Sequence, residues 1–209
     1  MTTPQLSAAV TCLCVAALLW SERRAWRVGI WVAKPLASLG FVATAWLGGA
    51  PALPMLVGLC LCTVGDVLLI PLGTSPLFLL GIGAFALGHL AYAWAFLTFG
   101  VAFGASALGA ALMALIIART LRWLRPHLPV DMRVPVSVYM AIIALMVTLA
   151  FGASAATHDP RLALGACAFA ASDLSVARER FVHASFINLL WGLPLYYAAQ
   201  LTLAYASLR

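Results

Sequence analysis

Long apolar runs separated by short polar breaks fill this chain from end to end. They recur at about 4–20, 30–47, 52–71, 76–97, 101–118, 134–152, 161–177 and 184–205. As helices rising 1.5 Å per residue, runs of about 17–22 residues fall in the length range that crosses a hydrocarbon core about 30 Å thick. The pattern predicts an all-α fold, a polytopic membrane helical bundle with about eight transmembrane helices. The runs leave no room for a second unit, so residues 1–209 are expected to form a single integral membrane domain. Composition sharpens this. The chain is 65% hydrophobic and only 9% charged, against about 25% charged in soluble domains, too little polar surface to cover a water-facing globule.

The net charge of +6 raises the question of nucleic acid, and the placement of the charges answers it. Arg23, Arg24 and Arg27 follow the first run, Arg119, Arg122, Arg125 and Arg133 fill the fifth–sixth loop, and Arg178 and Arg180 follow the seventh. With eight spans all three clusters lie on one face, leaving Arg161 and Arg209 on the other. The positive-inside rule makes the clustered face cytoplasmic and puts both termini outside. The expectation is a multi-pass protein of the bacterial inner membrane, with membrane lipids and no nucleic acid as partners. Met1–Gln5 has no positive charge before the first run, so no cleavable signal peptide is expected. Trp20, Trp26, Trp31, Trp46 and Trp123 fall near span ends, as interfacial anchors should. Arg119, Arg122 and Arg125 are expected to favour anionic lipid surfaces.

Two of the six acidic residues, Asp66 and Asp173, sit inside the apolar runs, and the other four fall near predicted loops. A carboxylate within a spanning helix costs roughly 2.5–3.5 kcal/mol on insertion scales, so each asks for a chemical reason. Hydrogen bonding between helices is the plain alternative, although Ser, Thr and Asn do that at lower desolvation cost. Both acids lie four or five residues before the end of spans that run in the same direction, so they can share a depth. They are also the third helices of two four-helix halves, each preceded by a small residue (Gly65, Ser172), which hints at a parallel duplication.

Other polar positions cluster on the same spans. Lys34-Pro35 lies just inside the second run, where the proline suits a first helical turn and the lysine either snorkels or supplies a cation to an acidic site or a phosphate. Phe85, His89, Tyr92 and Phe96 form one stripe of the fourth span. Tyr139 follows Pro135 in the sixth. The eighth carries Asn188, Pro194, Tyr196, Tyr197 and Gln200, whose polar stripe should turn inward. Cys12, Cys14, Cys60, Cys62 and Cys167 all lie in apolar runs, with an odd count and no CxxC spacing, and read as packing residues rather than a disulfide or zinc set. His127, His158 and His183 lie near loops and far apart, so no metal is expected.

Taken in order, Lys34-Pro35, the GDVLL around Asp66, His89-x-x-Tyr92, Pro135-x-x-x-Tyr139, Ser172-Asp173 and Tyr196-Tyr197-x-x-Gln200 resemble the YhhN-like lysoplasmalogenase family. The likeness runs from the second span to the eighth. It implies hydrolysis of the vinyl-ether bond of lysoplasmalogens, releasing a fatty aldehyde and glycerophosphoethanolamine or glycerophosphocholine. The substrate partner would be a lysophospholipid with a vinyl-ether chain. The family's two intramembrane aspartates map onto Asp66 and Asp173. Lys34, His89, Tyr92, Tyr139, Ser172, Asn188, Tyr196, Tyr197 and Gln200 would bind substrate or support the pair.

That chemistry suits two carboxyls. Protonation of the vinyl-ether β-carbon gives an oxocarbenium ion that water captures, and decay of the hemiacetal expels the glycerol oxygen. One carboxyl must hold a proton near neutral pH while the other stabilises the cation and activates water. Burial favours the neutral form of an acid, and two nearby acids separate their titrations. Glycoside hydrolases divide labour over an oxocarbenium-like state in the same way. No cofactor is required. Two other readings use intramembrane acids. An intramembrane aspartyl protease carries GxGD, but Thr63-Val64-Gly65-Asp66 lacks the first glycine. A proton-coupled transporter shows broken helices at matched positions, whereas Pro194 has no counterpart in the fourth span.

Overall fold

The structure, a computed structural model, describes residues 2–49, 51–71 and 76–208. Among them are eight α-helices: α1 Thr3–Arg23, α2 Arg27–Leu47, α3 Leu53–Leu68, α4 Pro76–Thr98, α5 Phe103–Leu124, α6 Arg133–Thr157, α7 Pro160–Ala177 and α8 Phe186–Ala206. Two short 3-10 turns join α5 to α6, and a π-helical extension, Arg178–Val182, follows α7. No strand occurs among the described residues. Arg209, one of the two basic residues assigned to the sparsely charged face, lies outside them.

Helix starts follow local chemistry. Prolines open α1, α3 and α7 within the first two positions, where a missing N–H is harmless. Asp159 caps α7 by accepting the Arg161 backbone N–H at 3.0 Å, and Ser185 caps α8 through the N–H of Ile187 at 3.3 Å.

Two expectations about helix ends need correction. Because α2 begins at Arg27, Pro35 is interior rather than first-turn. The polar segment Arg27–Gly29 adds a turn ahead of the apolar run, which hydropathy alone does not register. Likewise α5 runs on to Leu124, so Arg119 and Arg122 ride on a helix instead of a loop. Nothing in Ala118–Leu124 breaks a helix, and the first breaker is Pro126.

Five helical segments, those of α1, α2, α4, α5 and α6, are long and apolar enough to cross a bilayer by length and composition. The remaining three also carry inward polar residues: Asp66 on α3, Ser172 and Asp173 on α7, and Asn188, Tyr196, Tyr197 and Gln200 on α8. Helix α3 is apolar but, at 16 residues, short. Large apolar side chains such as Leu13, Trp46, Trp94 and Phe103 are exposed on the outside, as in a helical bundle that faces lipid. This is an integral membrane helical protein.

Successive helices pair as hairpins, α1 with α2, α3 with α4, α5 with α6 and α7 with α8. Helix α8 also meets α1, α2 and α3, and α6 meets both α4 and α7. At one end, Arg23 stacks over Phe186, Arg27 reaches the Ile70 carbonyl, and Arg180 reaches the Leu69 carbonyl. At the other, the Tyr205 hydroxyl donates to the Pro4 carbonyl and Arg161 bonds Asp159, so the two terminal helices end together there.

Candidate active site

Asp66 lies two residues before the end of α3. The Phe85 ring of α4 comes to 2.7 Å from where a Cβ on Gly65 would sit, so the glycine beside the acid is what lets α4 close on α3. Oδ2 of Asp66 accepts hydrogen bonds from Ser38 Oγ and Tyr196 Oη, each at 2.7 Å. Lys34 Nζ stands 3.6 Å from Oδ1. Lys34 and Ser38 are one turn apart on α2, so a single helical face delivers both the cation and a donor. The Tyr197 hydroxyl stands 3.1 Å behind Ser38 Oγ. The Lys34 and Asp66 side chains are only 12% and 4% exposed, which makes this a buried ion pair and not a snorkelling lysine. A cation and two O–H donors form the setting of a carboxylate anion.

Asp173 has a different setting. Its Oδ2 accepts from the Tyr139 hydroxyl at 3.1 Å and faces His89 Nε2 at 3.7 Å, beyond hydrogen-bond range. Nδ1 of His89 lies 2.6 Å from the Phe85 carbonyl. A carbonyl only accepts, so Nδ1 keeps its proton, and in the neutral ring Nε2 presents a lone pair toward the carboxyl. Nε2 is buried with no hydrogen-bond partner among the described residues. The imidazole is fixed by the Phe169 ring at 4.3 Å and by Tyr139 edge-on at 5.5 Å.

Both carboxyls line one cavity of about 690 Å³, within the usual range for small-molecule sites. Lys34, Tyr139, Ser172 and Tyr196 also line it, while Met113 and Ile117 of α5 and Ile143 of α6 give it an apolar wall. The Ser172 hydroxyl donates to the Phe169 carbonyl at 2.7 Å, so it is turned back on its own helix.

The other candidates stand behind this wall. His89 and Tyr197 back the two aspartates as described. The Tyr92 hydroxyl donates to Gln200 Oε1 at 2.7 Å, tying α4 to α8. Asn188, in the first turn of α8, ties down the α7–α8 connection, where Nδ2 donates to Glu179 Oε2 and to the His183 carbonyl, both at 2.8 Å. Sequence reasoning missed Ser38, although its i,i+4 spacing from Lys34 was there to be read. It also missed Glu22, Arg27, Glu179 and Arg180, all on the cavity wall, because each looked like an ordinary solvated charge at a span end.

The arrangement offers a carboxylate with a fixed counter-charge and a second carboxyl beside an imidazole, both facing a largely apolar space. Fold and site together define a polytopic helical membrane protein with a buried two-carboxyl cavity. Residues 29–207 match the YhhN family, and the chain belongs to it. It is 33% identical to the lysoplasmalogenase TMEM86B of Homo sapiens over 217 residues, covering 98% of this chain and 86% of that protein. It is 30% identical to the Rattus norvegicus lysoplasmalogenase TMEM86B, covering 92% and 78%. A lysoplasmalogenase of Mycobacterium bovis is 38% identical over 129 residues, covering 59% of this chain and 48% of the relative. No solved structure matches.

Proposed function

We propose that this protein is a membrane-embedded lysoplasmalogenase that hydrolyses the vinyl-ether bond with Asp66 and Asp173 dividing the work. The carrying observation is that two intramembrane carboxyls with unlike partners line one cavity, in a chain related to lysoplasmalogenases.

The unlike partners support a division of roles. Asp173, which faces a neutral imidazole and pairs with no cation among the described residues, is the acid and gives its proton to the vinyl-ether β-carbon. The C=C electron pair forms the new C–H bond, and the α-carbon becomes an oxocarbenium ion. Asp66, held as an anion by Lys34, Ser38 and Tyr196, stabilises that cation and takes a proton from the attacking water. The hemiacetal then collapses to the aldehyde as the glycerol oxygen leaves with a proton, and the second proton returns to Asp173. The sum is vinyl ether plus water giving aldehyde plus alcohol. The neutral imidazole turns its Nε2 lone pair toward the Asp173 carboxyl from 3.7 Å, which makes His89 a positioning residue for that carboxyl.

The unit spans residues 1–209 as one membrane domain, with the basic end cytoplasmic and both termini outside. Hydrolysis by purified protein in D₂O tests the reaction. One deuterium should appear at C2 of the aldehyde, trapped at once by reduction, because the proton added to the β-carbon comes from the acid. Release of undeuterated aldehyde, or no release, would contradict it.

A further inference from the structure

Around the mouth of the same cavity stand four charged side chains that the reaction does not use: Glu22 of α1, Arg27 of α2, and Glu179 and Arg180 of the π-helical extension. Arg27 is exposed and the other three are half-buried; half-buried charge must be offset by partners, and both arginines are visibly held. Arg180 Nη2 donates to the Leu69 carbonyl at 2.9 Å while its guanidinium lies over Phe78 at 5.0 Å. Arg27 Nη1 points at the Ile70 carbonyl from 3.4 Å. Glu179 Oε2 accepts from the Ser185 N–H and Asn188 Nδ2 at 2.7 and 2.8 Å. Glu22 differs. It is half-buried, within electrostatic reach of Lys34, Arg27 and Arg180, and accepts no hydrogen bond among the described residues.

Two positive and two negative groups make a rim of zero net charge with both signs on display. An anionic ligand would call for arginines alone, and an uncharged one would desolvate the half-buried Glu22, Glu179 and Arg180 without return.

Resting on the lysoplasmalogenase reading, we propose that this rim is a headgroup site for a zwitterionic phosphate–ammonium lysolipid. Arg27 and Arg180 take the phosphate, to which guanidinium geometry is suited, and Glu22 takes the ammonium. The alkenyl chain enters first and the headgroup stays at the rim. This fixes which end of the lipid meets the aspartates, and it sets the headgroup preference separately from the chemistry.

The test is binding, in neutral detergent, of three saturated 1-alkyl ethers that cannot be hydrolysed: the glycerophosphoethanolamine, the glycerol 3-phosphate and the bare glycerol. The wild-type protein should bind the zwitterion at least about tenfold tighter than either, the ratio that one charge-assisted contact supplies. Glu22→Gln should erase the preference over the phosphate, and Arg27→Gln should sharply reduce the preference over the bare glycerol. Wild-type affinities within about twofold of one another, or variants that keep both preferences, would overturn the site. Turnover of the three corresponding vinyl ethers separates this from the reaction. Equal hydrolysis of all three keeps the reaction and removes the headgroup site, whereas selective binding without hydrolysis does the reverse.

Discussion

Lys34 stands 3.6 Å from Asp66 in a buried pair, and among the described residues no comparable cation faces Asp173, whose neighbour is His89 at 3.7 Å. The two aspartates look alike in the sequence. Their neighbours give them different settings: a cation and two O–H donors around Asp66, a tyrosine hydroxyl and a neutral imidazole beside Asp173.

Removing one member of a buried ion pair typically costs about 3–5 kcal/mol, because the other charge is left unpaired. Lys34→Met should therefore lower thermal stability and turnover together. Adding Asp66→Asn to Lys34→Met should recover much of the stability and none of the activity. Thermal melts of the single and double variants, alongside turnover, check this. A double variant no more stable than Lys34→Met would contradict the pairing.

Two glycines make a controlled comparison of packing. A Cβ on Gly192 of α8 would collide with the Ser175 side chain of α7, whereas one on Gly83 of α4 meets nothing within 4 Å. Gly192→Ala should destabilise by about 1–3 kcal/mol through overpacking. Gly83→Ala should be neutral or stabilising by up to about 1 kcal/mol, the helix preference for alanine. Thermal melts in one detergent read both, and equal effects would refute the close α7–α8 approach.

Much of the helix plan was legible because hydrophobic run length is set by bilayer thickness. Asp66 and Asp173 stood out for the same reason, as expensive residues in oil. What hydropathy could not show was which polar side chains meet. Ser38 of α2 and Tyr196 of α8 converge on Asp66, 28 and 130 residues from it in sequence, and no local pattern encodes that. The charges at the rim escaped notice because a charged residue at a span end is usually just solvated. Pro35 and Arg119 were misjudged at helix ends, where polar residues continue a helix that the apolar run does not announce.

Arg119, Arg122 and Arg125 are exposed and off the wall of the aspartate cavity. Replacing all three with glutamine should leave turnover in neutral detergent within about twofold. Association with vesicles containing anionic lipid should weaken by roughly 1 kcal/mol per charge removed near the surface. Flotation with anionic and neutral vesicles measures the second effect. A large loss of turnover in detergent would bring these arginines into the site.

The central claim is that Asp66 and Asp173 divide acid and base work, and turnover of a lysoplasmalogen by purified aspartate variants tests it most directly. Asp173→Asn leaves no charge stranded and should fold, because an amide is cheaper to bury than a charge. Asp66→Asn strands Lys34, so it is best measured together with Lys34→Met as well as alone. Each aspartate variant should lose about 10²–10⁴-fold in turnover, the usual size of a general acid–base contribution. A folded Asp173→Asn protein, or a folded Asp66→Asn protein with or without Lys34→Met, that turns over at near the wild-type rate would contradict the account.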